Sequence, residues 1–464
     1  MPECLFQSCL LRCCLLLALS ACAPVGPNHK TPAMALPASF SQGGVHWKRQ
    51  VPGARPSPQQ WWRLYQDGTL SALVERALAK NQNIVAAVAR LRQAREMSNV
   101  ARSQYFPDVN VGTLAERSKI RLRVPGGGTV TADNFAVPVD FRYELDVWGK
   151  VSRQVESAAA SEAATGESFN ALRLSVAGEV AQTYWALRAV DANRAVLTRT
   201  LEIRRKALGL LSKRHDVGNI SGLDLSRAET EVATAEAERI RLDQDRILLV
   251  NALAVLTGGS ATGSTVAEHT ELPIPPSVPV AVPSEVLRQR PDIRAAERRV
   301  AAANADIGVA SAAFYPSFSI NASSGFDAAH LNDLFNASSL VWSIGASALT
   351  PVARHNLRNA AVAAHAAVSA EYRQTVLESI REVENALQGG AILERRQVAQ
   401  DKALASARKT FELSVKRFQA GLVSFLDVVD AERTRLDAEK AANAIRAERL
   451  AVSVSLSKAL GGEW

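Results

Sequence analysis

The chain contains one pattern twice, and an internal repeat of this length constrains a fold more tightly than any composition can. Ile84-Val85-Ala86-Ala87 returns as Ile293-Arg294-Ala295-Ala296, Arg90 as Arg299 and Ala94 as Ala303. Phe106-Pro107 returns as Tyr315-Pro316. The stretch from Lys213 to Gly218 returns from Lys416 to Gly421. Ser221, Leu223 and Asp224 return as Ser424, Leu426 and Asp427, and Ala228-Glu229 as Ala431-Glu432. Both halves close on Gly-Gly, at 258–259 and 461–462. The offset is 209 residues at the start and 203 later, so the halves are duplicates with small insertions and deletions.

Each half predicts one short helix, two strands, one very long helix and one medium helix. In the first half helical periodicity runs from about Leu70 to Gln93. It changes to alternation between Tyr105 and Trp148, as in Val109/Val111 and Val137/Val139/Phe141. Pro125-Gly126-Gly127-Gly128 marks the hairpin loop there. From about Val151 to Lys213 no proline intervenes, which predicts a helix of about sixty residues, or roughly 90 Å. A turn at Gly218–Gly222 follows, then a helix to about Leu256. In the second half the alternating stretches are 317–325 and 340–349. The long helix runs from about Asn356 across Gly389-Gly390 to Phe418. The divisions are 1–21 signal peptide, 22–60 extended tether, 61–271 first repeat, 272–284 Pro-rich linker and 285–464 second repeat.

These parts cannot close on themselves in one copy. Four strands of membrane length cannot form a barrel, and open sheet edges are not tolerated in lipid. Three copies supply twelve strands, an even number within the bacterial range. Helices of such length project as hairpins whose apolar faces need partners. A ring of hairpins from several copies satisfies both elements.

All five cysteines lie at or before Cys22. Their absence thereafter suits an oxidising compartment and excludes a disulfide framework or cysteine-ligated metal downstream. Residues 10–19, LLRCCLLLAL, read as the apolar core of a signal peptide. Leu19-Ser20-Ala21-Cys22 has the pattern of a lipobox, with diacylglycerol and an N-acyl chain expected on Cys22. The competing reading is an ordinary secretory signal with an incidental cysteine. Ala23 after Cys22 fits export to the outer membrane. No later segment offers ~20 unbroken apolar residues, so no membrane-spanning helix is expected.

The net charge of +8 arises from Lys and Arg interleaved with Glu and Asp, the pattern of a solvated helical face rather than of a nucleic-acid surface. There is no P-loop, GxGxxG, HExxH or GxSxG. The seven histidines are scattered, and only His355 and His365 are near neighbours. No enzyme, metal or cofactor beyond the Cys22 lipid is expected.

Several stretches carry a resemblance to a known family. They are LSAC at 19–22, VGPNHKTP at 25–32, WWRLYQDGTLSALVERAL at 61–78 and YELDVWGK at 143–150. RPDIRAAERRVAAANADIGVASAAFYPS at 290–317, KRFQAGLVSFLDVVDAE at 416–432 and SKALGGEW at 457–464 complete the set. In this order they resemble the outer membrane factors, the TolC-like tunnel proteins, and most closely their lipoprotein branch. The resemblance implies a mainly α fold with transmembrane β. A homotrimer would carry a 12-stranded β-barrel in the outer membrane of a Gram-negative bacterium, four strands per chain. A long periplasmic α-helical barrel would continue it. The implied role is passage of substrates from an inner-membrane pump, of the resistance–nodulation–division class, through a periplasmic adaptor to the exterior. Type I protein secretion by the same tunnel is one alternative; a non-channel periplasmic adaptor or structural lipoprotein is another. The chain departs from the family at Pro351–Asn356, where a proline-leucine-phenylalanine-aspartate-glycine-glycine turn is usual.

The resemblance places adaptor docking at the hairpin turns 214–229 and 417–432, around Arg214, Gly218, Leu223, Gly421, Val423 and Leu426. The plainer reading is a helical-hairpin turn with a small apolar plug, and both can hold. Asp427 and Asp430 match the family's tunnel-constricting carboxylates, with Arg433 one turn beyond Asp430. Threefold symmetry would make each aspartate a ring that favours cations and raises its members' pKa, so that the throat loosens at low pH. Against this, Ser424-x-x-Asp427 and Ser221-x-x-Asp224 both read as capping boxes. Asp430 fits a cap less well. The resemblance also implies a mixed equatorial belt around the helices; Tyr143, Trp148 and Trp342 flank the strands as an interfacial girdle or as packing in that belt, while Trp61 and Trp62 pack against it.

Overall fold

The structure is a computed structural model that describes residues 24–35, 40, 60–121, 128–276, 289–350 and 356–462. Cys22, the signal segment, most of the tether, the hairpin loop at 122–127, most of the Pro-rich linker and 351–355 lie outside the described residues. The chain divides into two compact units. One contains Met1–Ala33, Arg90–Gly166 and Ala295–Arg373; the other contains Met34–Ala89, Glu167–Arg294 and Gln374–Trp464. Each unit draws on both halves of the duplication. The repeats 61–271 and 285–464 are therefore units of sequence and not of compactness.

The elements are α1 Gly68–Lys80, α2 Gln82–Ser103, β1 Asp108–Val111, β2 Leu114–Arg121 and β3 Thr129–Leu145. There follow α3 Lys150–Asp216, α4 Gly222–Leu256, α5 Pro291–Ala312, β4 Ser317–Ala328, β5 Leu340–Leu349, α6 Leu357–Gln419 and α7 Phe425–Ala459. The expected single short helix of the first half is two. Asn81 ends α1 and begins α2, its Oδ1 accepting from the amides of Asn83 at 2.9 Å and Ile84 at 3.3 Å. An asparagine offers the backbone this local alternative to helix continuation.

The first unit is built on one antiparallel sheet in the order β1–β3–β4–β5, with β2 also on β3. β1 and β2 are one strand interrupted where Gly112 faces Pro138. Proline has no N–H for the ladder, and the Gly112 amide donates to the Pro138 carbonyl at 2.9 Å. Directly opposed residues share a face, so the register assigns the two faces. Val109, Phe141, Ala322 and Ile344 lie across one face, as do Val111, Val139, Ser324 and Trp342. Asn110, Asp140, Ser323 and Ser343 lie across the other, followed by Arg142, Asn321 and Gly345. On that polar face Ser319 and Ser347 share a hydrogen bond of 2.9 Å. All ten residues of β5 are exposed, and Trp342 is 74% exposed. β3, at 17 residues, outruns a bilayer span, and its excess pairs with β2 in a charged hairpin containing the Arg117–Asp133 ion pair.

Residues 24–31 are not a free tether. The Val25 amide donates to the Trp148 carbonyl at 3.0 Å. Arg153 donates to the carbonyls of Val25 and Gly26, and to Asn28 Oδ1 at 2.9 Å. Asn304 donates to the Pro27 carbonyl, and His29 Nε2 lies 2.7 Å from Glu297. Trp148 stacks on Tyr315 and donates to the Pro316 carbonyl at 2.7 Å, so it packs at the strand base.

The second unit is helical. Its core gathers Trp61, Trp62 and Tyr65 with Leu70, Val180, Tyr184, Trp185, Leu253 and Val454. Asp67 joins the layers: Oδ1 caps α1 through the Leu70 amide, and Oδ2 accepts from the Tyr184 hydroxyl at 2.6 Å. Burial, with the hydrogen bond to Asp67, pushes the Tyr184 hydroxyl up to about 12. Among the described residues, no helix is long and apolar enough to cross a membrane.

Candidate docking tips and throat

Both hairpin turns are built the same way. Gly218 has φ = +75° and Gly421 φ = +73°, a conformation that side chains with a Cβ rarely adopt. At the first turn Gly218 N–H donates to His215 and Asn219 N–H to Arg214, each at 2.8 Å. At the second, Gly421 N–H donates to Phe418 at 3.0 Å and Leu422 N–H to Arg417 at 2.9 Å. These are the paired bonds of a Schellman cap, which satisfy the last carbonyls of a helix. The next helix then starts on a serine. Ser221 Oγ accepts from the Asp224 amide at 3.3 Å. Ser424 Oγ accepts from the Asp427 amide at 3.4 Å, while the Ser424 amide donates to Asp427 Oδ2 at 2.8 Å. The second is a complete capping box.

The turns leave apolar side chains uncovered: Val217, Leu223, Leu422 and Leu426 are exposed and Val423 is half-buried. Arg214 lies over the Phe418 ring at 5.9 Å. Thus Arg214, Gly218 and Leu223 gather at one turn, and Gly421, Val423 and Leu426 at the other.

Asp427 sits at the capping position, exposed, and hydrogen bonds from the Ser424 side chain and backbone hold its carboxyl below the usual range. That direction is opposite to the one a carboxylate ring alone would impose. Asp430 is exposed one turn on, and its carbonyl accepts from the Thr434 hydroxyl at 2.8 Å. Arg433 pairs with Glu231 of α4, and this contact raises its guanidinium pKa.

Sequence reading missed the charged cluster behind these turns. Arg204 Nε donates to Glu432 Oε2 at 2.9 Å, its second amino nitrogen lies 3.0 Å from Glu231, and a third bond goes to the Glu231 carbonyl. All three side chains are at most 8% exposed. A second network ties Arg188 and Arg246 to buried Asp191. The only sequence signal was Glu432 inside a repeated motif; its partners come from other helices, which spacing along one helix cannot reveal.

The comparisons agree with this geometry. The outer membrane efflux protein family matches residues 73–259 and 282–462. The pyoverdine export outer membrane protein OpmQ of Pseudomonas aeruginosa is 31% identical over 465 residues, 96% of this chain and 96% of its own length. The toluene efflux pump outer membrane protein TtgF of Pseudomonas putida is 28% identical over 467 residues, 98% of this chain and 96% of its own. The solved outer-membrane channel OprN is 30% identical with a TM-score of 0.87, covering 95% of this chain and 100% of its own. CusC, solved in connection with transmembrane channel formation, is 25% identical with a TM-score of 0.84 over the same shares. A duplicated chain with one two-faced sheet and paired Schellman-capped hairpins, matched along both halves, belongs to the outer membrane efflux protein family.

Proposed function

We propose that three copies of this chain form an outer-membrane tunnel that exports substrates handed over by an inner-membrane pump and a periplasmic adaptor. The observation that carries this reading is the sheet. It has an apolar face, a polar face and, among the described residues, two open edges, β1/β2 and β5. In lipid the edges must be closed and the apolar face turned outward. A barrel shared between copies does both, and its polar face then lines the lumen. The role is transport and not catalysis. The exposed apolar residues at the turns, with Gly218 and Gly421, supply the adaptor contact. Asp430 supplies the throat charge, and Asp427 combines throat and cap. Relatives named for export of pyoverdine and toluene support small-molecule efflux over protein secretion. A pump of the resistance–nodulation–division class and a lipid anchor at Cys22 complete the assembly, as expected from the LSAC stretch.

Single-particle electron microscopy of the protein in detergent tests this. A threefold, hollow, elongated particle is expected. A solid monomer or dimer would remove the shared barrel and leave the adaptor or structural reading.

A further inference from the structure

Within the helical unit, the hairpins α3/α4 and α6/α7 line a partly open cavity of about 190 Å³ behind their turns, with the exposed Ile203 and Leu210 on its wall. Its walls are apolar, with Leu210 and Val428 beside the rings of Phe411, Phe418 and Phe425. Phe418 and Phe425 lie 5.8 Å apart at 57°, and Arg435 lies over Phe411 at 4.9 Å. One end is polar, formed by Arg204, Glu231 and Glu432.

Glu432 is only half satisfied. Oε2 accepts from Arg204 Nε. Oε1 is buried and has no hydrogen-bond partner among the described residues. A buried carboxylate oxygen without a donor is costly, and a donor brought to it is correspondingly favourable. Glu231 offers no such vacancy, since its oxygens face Arg204 and Arg433.

Charge and volume restrict what can supply that donor. Arg204 and Arg433 balance Glu231 and Glu432, and Arg214 on the lining adds a positive charge. A cation therefore gains no net attraction, and an anion would meet Glu432 Oε1. A neutral donor meets neither obstacle. An apolar cavity of about 150 Å³ holds one benzene ring, so this one takes a single ring with a small polar substituent. We propose that the cavity is a binding site for a small neutral monocyclic aromatic carrying one hydrogen-bond donor, a phenol or an aniline. The ring packs among the phenylalanines and the O–H or N–H donates to Glu432 Oε1. The ligand thereby bridges the two hairpins. The site does not depend on the tunnel reading, because it lies wholly inside one copy.

The test is fluorine NMR of 4-fluorophenol with the full-length protein in detergent, using fluorobenzene as the probe without a donor. Saturable binding, displaced by excess phenol and about tenfold tighter than for fluorobenzene, is expected from one hydrogen bond to a charged acceptor. Ala207→Leu and Val428→Phe, which fill the cavity from opposite hairpins, should each weaken binding at least tenfold. A signal that grows linearly, equals that of empty micelles, or persists unchanged in both folded variants overturns the proposal. Photolabelling of the unsubstituted protein with 4-azidophenol locates the site even if those variants do not fold. Adducts within 203–214 or 411–432 support it, and adducts only elsewhere overturn it.

Discussion

At the scale of single residues, the charged groups behind the turns hold the hairpins together. Arg204 is the centre of that cluster, and its removal leaves two buried carboxylates without their shared cation. Arg204→Leu should destabilise the protein by about 3–5 kcal/mol, the usual consequence of breaking one side of a buried ion pair. Thermal unfolding in detergent reads this directly. Asp427 behaves differently because it is exposed and its partner is a neutral serine. Its folded pKa is depressed, so the cap is intact above the unfolded carboxylate value of about 3.9 and is lost as pH falls through the lower folded value. Within one copy these hydrogen bonds therefore oppose acid loosening of the cap between pH 5 and 7, whereas carboxylates brought together by threefold symmetry would favour it. The throat assignment has its own test. Asp427→Ala combined with Asp430→Ala should lower cation selectivity in planar bilayers, and unchanged selectivity would exclude these residues from the constriction.

At the scale of elements, the same glycine chemistry recurs four times. Gly218 and Gly421 end the long helices, and Gly258 and Gly461 end the medium ones, all with positive φ. The surroundings differ. Nothing lies within 4 Å of a Cβ placed on Gly218 or Gly421. Gly421→Ala should therefore cost only the left-handed backbone strain, about 1 kcal/mol. Gly308 in α5 is the contrast. Its Cβ would fall 2.7 Å from Arg153 Cγ and 2.9 Å from the Val25 carbonyl. Gly308→Ala should displace residues 24–29 from their groove and open them to limited proteolysis, whereas Gly421→Ala should leave them protected. The shared geometry of the two turns and the packing of residues 24–29 thus rest on different physics: backbone freedom in one, close approach in the other.

At the scale of the whole molecule, the sheet explains why one copy is incomplete. Its strands alternate apolar and polar side chains, yet among the described residues neither edge has a partner. Pairing between copies removes both edges at once. The proposed lipid attachment is tested at the same scale. Cys22→Ala should abolish incorporation of labelled palmitate, and a label that persists would remove the lipobox reading and favour an ordinary secretory signal.

The duplication, the order of elements and the lengths of the long helices are legible in the chain's residues, because periodicity and the spacing of proline and glycine are local signals. So are the alternation of the strands and both capping serines; the residue pattern falls short elsewhere. It placed one short helix where Asn81 makes two, since a single side chain redirecting two amides leaves no periodic trace. It read residues 24–31 as tether because their partners, Trp148, Arg153, Glu297 and Asn304, are distant in sequence. Which strand residues share a face, that Arg433 turns to Glu231, and that Glu432 is buried beside an apolar cavity with an oxygen unpartnered among the described residues all follow from the packed fold. Each of these depends on which helices and strands become neighbours. Neighbours are chosen by burial of whole faces, a free energy spread over many residues and recorded in no one of them.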